Sequence, residues 1–294
     1  MNLSDLTVTV LIPAYNEEES IAGTVAAIQK HSTGLKALEI IVINDGSTDR
    51  TGEIARGLPV TLIEHETNTG YGSGLKDGLQ QAQHEFILIA DADGTYPLED
   101  IPTLLADAAN YAMVVGARTG AVVQVPLLRR PGKWIITRLA EYLSKRQIPD
   151  LNSGFRVFRK DVALRFLSLY PDGFSFTTTI TLAMLTNHYK VKFIPINYHR
   201  RVGKSSIKPL RDFTNFTILI IRICACFNPL NVFVPPALVL ILLGVVKGAV
   251  DYFGLLDPHA AGHLGMLSVL LAMTGVQTLF IGLLADLIDR RMKM

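Results

Sequence analysis

Cysteine is scarce in these 294 residues: there are two, Cys224 and Cys226. Two positions apart in an apolar stretch, they point to different faces of a helix, which argues against a disulfide and a cysteine metal site. Tryptophan occurs once, at Trp134, and charged side chains make up only 18% of the chain. With 49% hydrophobic residues and a mean hydropathy of +0.31, the composition is too apolar for an ordinary soluble enzyme and points to lipid. The formal charge is +2, so any cationic surface must come from local clustering. No charged-then-apolar leader opens the chain, and the first domain is expected to stay in the cytoplasm. A Gly-x-Ser-x-Gly elbow, zinc-ligand spacing and a Cys/His nucleophile pair are all missing.

What is present centres on Phe86-Ile-Leu-Ile-Ala-Asp-Ala-Asp-Gly94. A short apolar run bounded by polar residues reads as a strand buried on both faces. Asp91 and Asp93 follow at its C-terminal end, where open parallel sheets bind ligands, and Gly94 permits a sharp turn. Two hard oxygen donors at this spacing suit Mg²⁺ or Mn²⁺; the bland alternative is a solvated turn. Thr7 to Ile12 is a first strand, stopped by Pro13 and followed by Tyr15 and Glu17 ahead of a helix. Glu39 to Asn44 is a second strand that delivers Asp45, and Ser47 or Thr48 is placed to cap the next helix. A third strand spans about Val60 to Ile63, and Met113 to Ala117 is a fifth. Asn68-Thr-Gly-Tyr-Gly-Ser-Gly-Leu-Lys76 resembles a phosphate cradle but lacks an immediately preceding strand, and close helix–sheet packing explains it equally. The alternation of strands and helices predicts a doubly wound α/β domain. Its acids converge at three strand ends, which describes a site for a nucleotide and a metal.

Beyond Ala117 the character changes. Between Arg118 and Arg146 seven cations face one acid, Glu141, and Trp134, Ile135, Leu139, Tyr142 and Leu143 fall on one helix face. A solvated basic face is the plain reading; an amphipathic helix on an anionic membrane fits the composition better. Nucleic acid is not expected, for want of an aromatic platform or a binding motif. Helices are expected near 160–168 and 177–187, then a last strand over Val191 to Tyr198. Residues 212–230 read as interfacial, broken by Asn228-Pro-Leu-Asn231. Val232 to Val250 and Leu264 to Ala285 are each long enough to span a hydrocarbon core, with Pro235 and Pro236 in the first turn of their helix. The connecting loop holds Asp251 and Asp257 but no Lys or Arg, whereas both outer flanks are basic. The positive-inside rule therefore places both termini in the cytoplasm, with two spans between them. The domain organisation expected is 1–211 cytoplasmic, with 118–146 facing the membrane, then 212–230 interfacial and 231–290 a transmembrane hairpin.

Ile12-Pro-Ala-Tyr-Asn-Glu-Glu18, Asn44-Asp-Gly-Ser-Thr-Asp49, Asp91-Ala-Asp-Gly94 and Asn152-Ser-Gly-Phe-Arg156 together resemble the inverting family-2 glycosyltransferases of GT-A fold. The C-terminal pair of spans narrows the resemblance to the polyprenyl-phosphate glycosyltransferases. It implies a Rossmann-like, mostly parallel sheet, and sugar transfer from a UDP- or GDP-sugar to undecaprenyl or dolichyl phosphate with Mg²⁺ or Mn²⁺. In that family the residues matching Pro13, Tyr15, Glu17 and Asp45 hold the nucleotide, and those matching Asp91 and Asp93 hold the metal-diphosphate. Arg118, Arg129 and Arg200 match residues that bind the acceptor phosphate. A frequent Arg-x-x-Gly-x-Ser-Lys stretch reads here Arg200-Arg-Val-Gly-Lys-Ser-Ser206, with its lysine displaced, and adds Lys204 and Ser205 to that group. Asp150 is a further candidate, to orient the acceptor or the basic cluster, beside a purely structural role. Two other readings stand: a family-2 enzyme acting on a glycolipid or polysaccharide, and a non-catalytic membrane scaffold. The sequence leaves the sugar, the base, the prenyl chain and any homo-oligomer open.

Overall fold

The computed structural model describes residues 3–120, 137–142, 144–173, 175–199, 218, 220–222, 225, 229–253, 255 and 262–292. It divides into two compact units, Met1–Tyr142 with Arg146–Leu219, and Leu143–Lys145 with Ile220–Met294.

The first unit is built on β1 (Thr7–Ala14), α1 (Ile21–His31), β2 (Ala37–Asp45), α2 (Thr51–Arg56), β3 (Thr61–His65), α3 (Tyr71–Gln81), β4 (Phe86–Ile89), α4 (Ile101–Ala106), β5 (Met113–Ala117), β6 (Arg156–Arg159), α5 (Lys160–Leu164), α6 (Phe176–Thr186) and β7 (Val191–Pro195). The strands form one sheet in the order β3-β2-β1-β4-β6-β5-β7. The first four of these neighbours run parallel, whereas β6 is antiparallel to both β4 and β5. The sheet is therefore mostly parallel, as expected, and β6 is a strand that the sequence reading missed. β1 alternates its side chains between two layers. Val8, Val10 and Ile12 join Ile21, Val25 and Ile28 of α1 and Leu104 and Leu105 of α4 in one core. On the opposite face α3 lies against Leu11 and Ile43, brought in by Gly78, whose added Cβ would stand 3.0 Å from Leu11 Cδ2 and 3.2 Å from Ile43 Cδ1.

Two local expectations need correction. Pro13 does not stop β1, which continues to Ala14 in register with Asn44. Ala90 N–H donates to Leu11 C=O, so the odd residues of β1 address β4. β4 ends at Ile89 opposite Leu11, so the donor that proline lacks is aimed past the end of its neighbour. Nor do Ser47 and Thr48 cap α2. The helix begins at Thr51, whose N–H donates to Asp49 Oδ1 at 2.9 Å; the two hydroxyl residues serve the β1 loop instead.

The second unit is a hairpin of α7 (Pro229–Tyr252) and α8 (Met266–Met292). Both helices are long and apolar enough to cross a membrane. Their contact uses small residues. Added Cβ atoms at Gly244, Gly275 and Gly282 would meet Ala272, Ala237 with Ile241, and Phe233 respectively, each within 3.0 Å. Close backbone approach of this kind is how apolar helices associate in lipid, where water provides no drive. Leu242, Leu243, Val245, Val246, Leu283 and Leu284 point outward. α7 starts at Pro229, inside the break expected over Asn228 to Asn231, so Pro235 and Pro236 lie inside the helix rather than in its first turn. Packing on either side of them, Phe233 on Gly282 and Ala237 on Gly275, carries the helix through.

Candidate active site

The C-terminal ends of β2, β1 and β4 are adjacent, so the loops bearing Tyr15 and Glu17, Asp45, and Asp91 and Asp93 emerge side by side. The first two loops are stitched together. Asn16, in the left-handed region at φ 56°, accepts from Thr48 N–H at 2.8 Å and donates its own N–H to Ser47 Oγ at 3.0 Å. Glu17 N–H donates to Thr51 Oγ1 at 2.8 Å, and Ser20 Oγ donates to Glu17 Oε2 at 3.0 Å. Tyr15 stands 46% exposed, its ring open to a planar ligand. Pro13 lies within β1 itself.

Asp45 is buried. Its Oδ1 accepts from Thr69 N–H and Oγ1, both at 2.8 Å, and its Oδ2 from Gly70 N–H at 2.8 Å. Burial alone would raise its pKa, but hydrogen bonds from His65, Thr69 and Gly70 outweigh it and hold the carboxylate below the usual range. This carboxylate thus fixes the turn that opens the glycine-rich segment. The segment is not an open phosphate cradle: Asp172 C=O already takes Gly72 N–H at 2.7 Å and Ser73 N–H at 3.0 Å. Its glycines answer to packing instead. An added Cβ would stand 2.5 Å from Asp172 O at Gly70 and 2.0 Å from Pro171 O at Gly72.

Past β4 the chain turns at Gly94, φ 68°. Asp93 Oδ1 accepts from Thr95 Oγ1 at 2.6 Å and N–H at 3.2 Å, and Asp91 Oδ1 accepts from Tyr71 Oη at 3.1 Å. Beneath Asp91 lies Gly154, where an added Cβ would come within 2.8 Å of Oδ2; only glycine leaves this carboxylate its place. Two aspartates on one turn, over a floor without a side chain, fit a hard divalent cation. No cluster of three or more His, Cys, Asp or Glu ligands occurs among the described residues. An ion here would therefore draw its remaining oxygens from ligand phosphates and water, as Mg²⁺ commonly does.

Tyr96 joins this turn to the other half of the sheet. Its hydroxyl accepts Gly154 N–H at 2.7 Å, and its ring stacks on Phe155 at 5.6 Å and meets Tyr198 edge-on at 5.4 Å. Burial drives its pKa well above the phenol range. His199 N–H donates to Thr95 C=O at 3.0 Å, so the chain leaving β7 passes beside Thr95, two residues after Asp93. Arg118 lies 5.2 Å over the Tyr198 ring and forks onto Asp150, Nε to Oδ2 at 2.7 Å and Nη2 to Oδ1 at 2.9 Å. Asp150 is fully buried and also accepts Arg118 N–H at 3.0 Å. Burial works against the Arg118 charge, but Tyr96 and Asp150 overcome it and raise its pKa further. Asp150 therefore holds the arginine in place. Arg129, Arg200, Lys204 and Ser205 lie outside the described residues, as does most of 118–146 and of 212–230.

Tyr71, Tyr96 and Arg156 went unassigned in the sequence. Arg156 is fully buried; it donates through Nε to Ser153 C=O at 2.9 Å, and through Nη1 to Thr177 C=O at 3.0 Å and Thr181 Oγ1 at 2.8 Å. Burial lowers its pKa to about 10. It clamps the Asn152–Phe155 turn, and hence Gly154, against α6. Tyr71 sits between Gly70 and Gly72, two glycines that packing already accounts for, so nothing in the sequence marked it.

The chain belongs to glycosyl transferase family 2, whose model matches residues 9–166. Residues 228–290 match the GtrB C-terminal hairpin. Among relatives, a dolichyl-phosphate hexose transferase of Haloferax volcanii is 31% identical over 218 residues, 73% of this chain and 92% of that protein. A dolichol-phosphate mannosyltransferase of Pyrococcus furiosus is 32% identical over 216 residues, 69% of this chain and 60% of its own. In structure the chain is similar to glucosyl-3-phosphoglycerate synthase of Mycobacterium tuberculosis, solved with Mn²⁺, UDP and phosphoglyceric acid. The TM-score is 0.59 at 16% identity, over 74% of this chain and 78% of that one. The fold is thus GT-A, and these two relatives are named as a dolichyl-phosphate hexose transferase and a dolichol-phosphate mannosyltransferase.

Proposed function

We propose that this glycosyltransferase moves a sugar from a UDP- or GDP-sugar to a polyprenyl phosphate, undecaprenyl or dolichyl, in one inverting displacement at the cytoplasmic face of a membrane. The observation that carries the reading is the Tyr96 bridge, which ties the Asp91–Asp93 turn to Arg118 through Tyr198. A pair of carboxylates for a metal-diphosphate and a guanidinium for a second phosphate stand on one contiguous group of side chains. Tyr15, Glu17 and Asp45, with Pro13 behind them, serve the nucleotide. Asp91 and Asp93 would hold Mg²⁺ or Mn²⁺, which when bound supplies Lewis-acid stabilisation of the departing diphosphate. Tyr71 and Thr95 orient these two carboxylates.

The acceptor phosphate is already an anion at neutral pH, so its attack on the anomeric carbon needs no strong general base. What it needs is neutralisation close to another anion. Arg118, held by Asp150, supplies this through charge-assisted hydrogen bonds, joined by Arg129, Arg200, Lys204 and Ser205. The apolar hairpin keeps the enzyme where a prenyl tail lies, with the catalytic unit and both termini cytoplasmic. The test is to offer purified protein a panel of radiolabelled nucleotide sugars with a polyprenyl phosphate. Label entering a chloroform-soluble product with one donor supports the reading; no lipid-linked product from any donor overturns it.

A further inference from the structure

His65 has no part in the chemistry above, yet it joins a polar cluster with Asp45, Thr69 and Asp77. It closes β3, and the parallel register sets it beside Asp45, the last residue of β2. Its Nδ1 lies 2.8 Å from Asp45 Oδ1, and its Nε2 lies 3.2 Å from Asp77 Oδ2 on α3. The helix reaches so close because Gly74, one turn before Asp77, has no side chain. An added Cβ there would stand 2.9 Å from Ile43 Cγ2 and 3.9 Å from His65 Cε1. Thr69 Oγ1 lies 3.0 Å from Nδ1 and 2.8 Å from Asp45 Oδ1.

The two oxygens of Asp45 are therefore unequally used. Oδ1 faces His65 and both donors of Thr69, more than the roughly two lone-pair directions a carboxylate oxygen offers. Oδ2 receives Gly70 N–H and keeps a direction for one more donor. We infer that His65 is a positioning residue for nucleotide recognition. Anchored by Asp77, it occupies Oδ1 and fixes the Asp45 rotamer, which leaves Oδ2 as acceptor for an N–H on the donor's base. Uracil and guanine both carry such a group; a base without one would be refused. This inference rests on the reading that Asp45 holds the nucleotide.

The geometry dictates the variants. Asparagine places an amide N–H where Nδ1 stands, within reach of Asp45; glutamine places one where Nε2 stands, toward Asp77. Binding of UDP and of GDP to the detergent-purified full chain is measured by calorimetry, and donor KM is separated from kcat. For whichever nucleotide binds, His65→Ala should weaken affinity about tenfold, the loss of one charge-assisted bond, and raise donor KM with kcat little changed. His65→Asn should recover most of the affinity, and His65→Gln should not. Equal affinities in the Asn and Gln variants overturn the inference, even where the Ala variant fails to fold. Normal binding by His65→Ala alongside a loss in Asp45→Ala also overturns it, and leaves Asp45 as the nucleotide ligand. Normal binding by Asp45→Ala removes the underlying reading, and the inference with it.

Discussion

Asp91 and Asp93 share one turn but not one environment: a phenol holds the first, a threonine the second. Replacing either by asparagine keeps the shape and removes the charge. Transfer should fall at least about a hundredfold, the worth of several kcal/mol of charge stabilisation, while the melting curve stays near that of the parent. Retained transfer in EDTA would sink the metal assignment. Arg118 and Asp150 behave differently, because each is the other's partner away from water. Asp150→Asn leaves a mostly buried guanidinium unpaired and should cost roughly 3–5 kcal/mol of stability, read from denaturant unfolding. Arg118→Ala should lower acceptor use by roughly 1.5–3 kcal/mol and also destabilise the fold, with donor-analogue affinity unchanged. Asp45 has a pH signature. Its folded-state pKa is depressed, so its contribution is complete above the unfolded value of about 3.9 and is lost as the pH falls through the folded one. Asp45→Asn should therefore flatten the acid limb of melting temperature against pH. Sequence alone exposed Asp45, Asp91 and Asp93, since each follows an apolar strand. Asp150 was legible as a candidate to orient the basic cluster, but its pairing with Arg118 was not, because the two are 32 positions apart with no local pattern between them.

At the scale of elements, α3 shows what a glycine-rich segment is for when it is not a cradle. Gly72→Ala pushes a methyl onto the Pro171 carbonyl, backbone that cannot yield, and should cost about 3 kcal/mol, the upper range for overpacking. Gly78→Ala meets only the mobile tips of Leu11 and Ile43. It also gains roughly 1 kcal/mol of helix propensity, so the two effects should nearly cancel. Urea titration of both variants separates them; equal losses would mean that α3 is not held at its N-terminus. The parallel strands were legible because each is an apolar run closed by turn residues. β6 was not, because it begins with an arginine, and an ionised side chain in a four-residue stretch reads as surface. Its charge is accepted inside only because two carbonyls and a hydroxyl await it.

For the molecule as a whole, the hairpin makes topology measurable. Cysteines placed at Ala261 and at the C-terminus should label from opposite sides of sealed vesicles, with position 261 external; labelling from one side would remove the two-span reading. The sheet order carries a further consequence, for synthesis rather than catalysis. β6 lies between β4 and β5, although β5 precedes it in the chain. Translation at roughly 5–20 residues per second therefore finishes β5 seconds before either of its neighbours exists. The nascent chain carries Met113 to Ala117 as a bare apolar strand until the middle of the sheet is filled from behind. Gly154 arrives just ahead of that closing strand, so Asp91 and Asp93 stand without their floor until the last gap in the sheet is shut. A ribosome stalled short of Gly154 would hold a nascent chain with every donor-side acid in place and no site for the donor.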